Sequence, residues 1–73
     1  MSKELVEKIS NLGLRAWQEG IIYNALLYQF INNDELDRAV DIVKKYNSED
    51  ELFYECSESK DKLSQSLANA SQI

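Results

Sequence analysis

The segment Gly20-Ile21-Ile22-Tyr23-Asn24-Ala25-Leu26-Leu27-Tyr28-Gln29-Phe30-Ile31 constrains this chain more than any other stretch. Nine of its twelve residues are apolar or aromatic, and on a helix they occupy every side. A helix that is apolar all round has to be covered all round. The chain has only 73 residues with which to do so. A domain of that size buries only ~60% of its unfolded surface, and small domains commonly add disulfides, metals or partner chains. A single cysteine leaves no internal disulfide, and the absence of histidine removes the commonest metal ligand. Close helix packing or a partner protein remains.

The expected fold is all-α: a small domain of three helices spanning residues 1–73. There is no proline and little glycine, which favours helices. Leu5, Ile9, Leu12, Ala16, Tyr23, Leu27 and Phe30 recur at three-four spacing, so the first helix is expected from Ser2, its cap, to Ile31. Gly13 either kinks one long helix, the reading adopted, or separates two shorter ones. Asn32-Asn33-Asp34 combines residues that end helices with one that caps them, so an antiparallel second helix is expected from about Glu35 to Tyr46. Its buried face reads Leu36, Ala39, Val40, Val43 and Tyr46. Ser48 and Glu51 have capping-box spacing and open the third helix. Leu52, Phe53, Cys56, Leu63, Leu67 and Ala70 lie near one face of it. Six polar residues, Ser57 to Lys62, interrupt that stripe, so the helix is expected to fray and residues 64–73 to form a tail that orders only on a partner.

Charge divides the chain. Residues 1–32 carry three basic and three acidic side chains, while residues 33–73 carry five and ten, so the whole net charge of −5 lies in the second part. Direct nucleic-acid binding is disfavoured, because Lys44-Lys45 is the only adjacent basic pair. A helix-turn-helix reading would turn Glu49, Asp50 and Glu51 toward phosphates. An acidic surface of this kind serves either as a solvated face or as the complement of a basic groove. The run Ile21 to Ile31 is far short of the ~20 residues that a membrane span needs. Met1-Ser2-Lys3-Glu4-Leu5 lacks the layout of a secretory leader, and a lone thiol fits a reducing compartment, so a soluble cytoplasmic protein is expected.

The chemistry of common active sites is missing from the sequence. Without histidine there is no Ser-His-Asp or Cys-His pair. Gly13 and Gly20 are too far apart for a phosphate loop, and the lysine-serine pair is absent. Cys56 is expected to be a small buried hydrophobe, with Glu55 and Glu58 raising rather than lowering its pKa. No catalytic, cofactor-binding or metal-binding residues are assigned, and no cofactor or small-molecule substrate is expected.

Two features exceed what a small core needs. The first is the all-round apolar segment, whose Ile22, Leu26 and Tyr28 side, with Trp17, is expected to remain as a partner surface. The second is the row of small residues Gly13, Ala16 and Gly20, where another helix could approach closely. With Glu49, Asp50 and Glu51 steering it to a basic target, the chain reads as a non-enzymatic protein-binding module. The class favoured is an inhibitor or adaptor such as phages and plasmids encode against host proteins, nucleic-acid-processing ones included. The alternative is an assembly protein: a homodimer, or a subunit of a small helical complex, whose helical-hairpin layout resembles small secretion-system chaperones by architecture alone. Arg15-Ala16-Trp17-Gln18-Glu19-Gly20 ends in the Glu-Gly pair of the inhibitory helix in small antitoxins of Fic-type enzymes. Arginine stands where that pattern has serine or threonine, so the chain is assigned to no family.

Overall fold

In the computed structural model, which describes all 73 residues, the chain is all-helical. It has five α-helices rather than three: α1 (Lys3–Ser10), α2 (Ala16–Leu27), α3 (Leu36–Val43), α4 (Glu49–Ser57) and α5 (Lys62–Ala70), with a single 3-10 turn over Asn33–Glu35. Each boundary has a local cause. Ser2 Oγ accepts the Leu5 N–H at 3.2 Å and starts α1. Gly13 takes φ +72°, a left-handed conformation that no helix continues through. The long first helix expected from periodicity is therefore two helices. The small-residue row falls with it, since Gly13 lies in a loop and nothing stands within 4 Å of where a Cβ on Gly13 or Gly20 would be.

These two glycines predict opposite responses to the same substitution. Gly13→Ala forces a side chain into the left-handed region and is expected to cost about 1–2 kcal/mol. Gly20→Ala sits in open space inside α2 and is expected to add about 1 kcal/mol, the helix-propensity difference. Urea unfolding of the two variants checks the signs.

Helix α2 ends four residues earlier than its apolar run. Gln29 adopts φ +62°, its N–H donates to Leu26 O (3.2 Å), and the Phe30 N–H donates to Ala25 O (2.8 Å). This pair of bonds closes a Schellman motif with glutamine where glycine is usual. Asn32 Oδ1 then accepts from the Asp34 N–H (3.1 Å) while Glu35 Oε1 accepts from the Asn32 N–H (2.9 Å), so Asn32, not Asp34, caps the turn into α3. Ser48 Oγ accepts the Glu51 N–H at 3.1 Å, as the capping-box spacing predicts.

The polar stretch after Ser57 turns the chain instead of unravelling it. The Asp61 N–H donates to Ser59 Oγ (3.0 Å), and Gln65 Nε2 reaches back to Ser59 O (2.6 Å). Arg38 of α3 grips Asp61 Oδ1 at 2.9 Å, and Ser64 Oγ donates to Asp61 Oδ2 at 3.0 Å. These bonds hold the Asp61 carboxyl below the usual carboxylate range, the Arg38 hydrogen bond most of all. Residues 64–73, expected as a frayed tail, are thus mostly helical. Leu63, Leu67, Ala68 and Ala70 of α5 are buried, and α5 packs on α4, on α2 and on α3.

One cluster of 17 buried apolar residues draws on all five α-helices. The radius of gyration is 11.0 Å, close to the ~11 Å expected of a compact chain this long. Helices α2 and α3 fold back on one another: Gln18 near the start of α2 bonds to Val43 O at the end of α3. No helix is long and apolar enough to cross a membrane.

Candidate functional site

The expected partner surface is only partly on the outside. Ile22 is fully buried and Leu26 nearly so. Both are corrections to the sequence reading, and α5 is the reason: it lies against α2, covering it from a segment read as a tail. Trp17 is half-buried and packs against the core. Tyr28 is outside, 55% exposed, and beside it Leu27 is 57% exposed. Leu27 was read as part of the buried stripe. The break at Gly13 shifts the phase of α2, and this residue ends up facing water.

Leu27 and Tyr28 border an open concavity of about 680 Å³, lined between Leu26 and Glu35 by the Schellman turn and the 3-10 turn. Its polar wall is Gln29, Asn32, Asn33, Asp34 and Glu35, and its apolar floor is Leu26, Phe30 and Ile31. The helix C-terminus above it contributes the negative end of the α2 dipole.

Glu49, Asp50 and Glu51 form the exposed first turn of α4. Their charge suits that position, because acids stabilise a helix N-terminus. Two of the chain's carboxylates are in ion pairs, Asp37 with Lys8 (3.8 Å) and Asp61 with Arg38 (2.9 Å). Every acid on α4 therefore stands without a cationic partner. Helix α4 also presents two aromatic rings that the sequence pattern did not assign to the surface. Phe53, expected in the core stripe, is 37% exposed, and Tyr54 is 64% exposed. Leu52 and Cys56, four residues apart, define the only face of α4 that the core can take.

Of nucleophile and ligand chemistry the structure offers little. Cys56 is fully buried, and burial pushes its thiol up. The thiolate is the nucleophile, so this residue acts as packing. No three of its Cys, Asp and Glu side chains converge on a metal position. Comparison with known protein families, curated proteins and solved structures found no match to the chain.

Proposed function

We propose that the chain is a non-enzymatic protein-binding module of the small inhibitor or adaptor class, working in the cytoplasm on another protein. Phages and plasmids encode modules of this kind against host machinery, and the acidic second half suits a host target that handles nucleic acid. The observation that carries the reading is the Leu27-Tyr28 pair. A core of 17 residues covers the rest of the apolar run of α2, yet these two large side chains remain more than half exposed beside a concavity. Tyrosine contributes much area at low entropic cost, which is why it recurs at interface hot spots.

Site-specific crosslinking tests the reading. The substitution Tyr28→p-benzoylphenylalanine is made in the chain, which is then expressed in its source cell and irradiated. A discrete adduct with another protein, lost in a Leu27→Asp background, is the expected result. An adduct at twice the chain mass of 8.4 kDa overturns it in favour of the homodimeric assembly protein. No adduct at all overturns it outright.

A further inference from the structure

We propose that the outward face of α4 is a docking surface for an arginine-bearing helix of a partner protein. The proposal rests on the binding-module reading and names the chemistry of the partner. Along α4, Glu49, Phe53 and Ser57 form one row at four-residue spacing, and Asp50, Tyr54 and Glu58 form the next. Both rows lie on the exposed side, away from Leu52 and Cys56. Residues 49–58 hold five carboxylates and no cation, a charge equal to that of the entire chain.

Helix stability does not account for that arrangement. Acids in the first turn stabilise α4, but Glu55 and Glu58 stand at its C-terminal end, where the dipole opposes them. Glu51 and Glu55 are a like-charge pair four residues apart, which destabilises a helix. No ion pair relieves any of the five. A cationic partner would relieve all of them. Phe53 and Tyr54 supply what carboxylates alone do not: ring faces that attract a guanidinium and give it an apolar seat. Arginine fits both, since its planar group stacks on aromatics and bonds carboxylates in pairs.

The test uses the intact chain and a short synthetic helical peptide of alanine and arginine, with arginine on every fourth residue. Binding is followed by amide chemical shifts. The expected result is shifts centred on residues 49–58, with affinity falling about tenfold or more when salt is raised to about 0.5 M and when glutamine replaces arginine in the peptide. A Phe53→Ser/Tyr54→Ser chain is expected to bind about fivefold more weakly. Because Phe53 is partly buried, Glu55→Gln/Glu58→Gln serves as a second variant. It is expected to melt higher, with its dipole conflict removed, and yet to bind more weakly; a purely structural role would not combine the two. Shifts confined to Leu27–Glu35, equal binding of the glutamine peptide, or no shift at about 1 mM peptide overturns the proposal. Crosslinking at position 28 is read separately, so the α4 surface can fail while the module stands.

Discussion

An Ile22→Ala chain is expected to be close to unfolded at room temperature. Ile22 is fully buried in α2, and truncating a buried isoleucine to alanine costs about 2–5 kcal/mol through lost burial and the cavity left behind. A chain of 73 residues has about 4–11 kcal/mol of stability in all, at 0.05–0.15 kcal/mol per residue. The substitution removes a large share of that, and a urea melt should show a much lower midpoint. Tyr28→Ala is the control. Its side chain is mostly in water, so its effect is expected within about 0.5 kcal/mol. If the two variants melt alike, Ile22 is at the surface and the corrected partner face is wrong.

Gln18→Met is expected to cost about 2–4 kcal/mol, because buried partners left unsatisfied cost ~1–3 kcal/mol each. The glutamine is 5% exposed and uses both ends of its amide. Its Oε1 accepts the Arg15 N–H at 2.9 Å, and its Nε2 donates to Val43 O (3.0 Å) and more weakly to Tyr46 O (3.4 Å). One side chain thus satisfies a free N–H at the start of α2 and a free carbonyl at the end of α3. Methionine has nearly the same volume but neither bond, so the loss measured is polar rather than steric. Hydrogen exchange at the Arg15 amide should quicken together with the fall in urea midpoint. Unchanged stability would mean that water replaces the amide at both ends.

What the sequence made legible was local. Ser2 and Ser48 were readable as caps because a cap bond spans three residues. The buried face of α3 was readable because Leu36, Ala39, Val40 and Val43 lie within one uninterrupted period, and all four are buried. The division at Gly13 was not, because the three-four spacing runs through it unbroken from Ile9 to Ala16; only the backbone angle separates the helices. Gln18 was missed for a related reason. It stands three residues after the helix cap, as in a capping box, but arginine holds the position where a box has serine or threonine. The surface residues depended on what α5 does. Its Ser64, Ala68 and Ala70 read as tail composition, whereas in the fold their small size allows close packing on the other helices. With α5 in place Ile22 and Leu26 go inside. Phe53 goes outside, because α4 can turn only its Leu52-Cys56 side to the core.

The position of α5 in the chain gives the fold a schedule. Its Leu67 follows Ile22 by roughly 45 residues. At about 5–20 residues per second on the ribosome, the most apolar helix is made about 2–9 s before the helix that covers it. Through that interval the nascent chain carries an uncovered greasy segment, and no earlier helix can close the core in its place. Completion of α5 is thus the event that converts a chaperone client into a folded protein. A stop codon or a slow stretch of message before Leu63 would harm the protein through aggregation during synthesis, with every residue of the candidate surface intact.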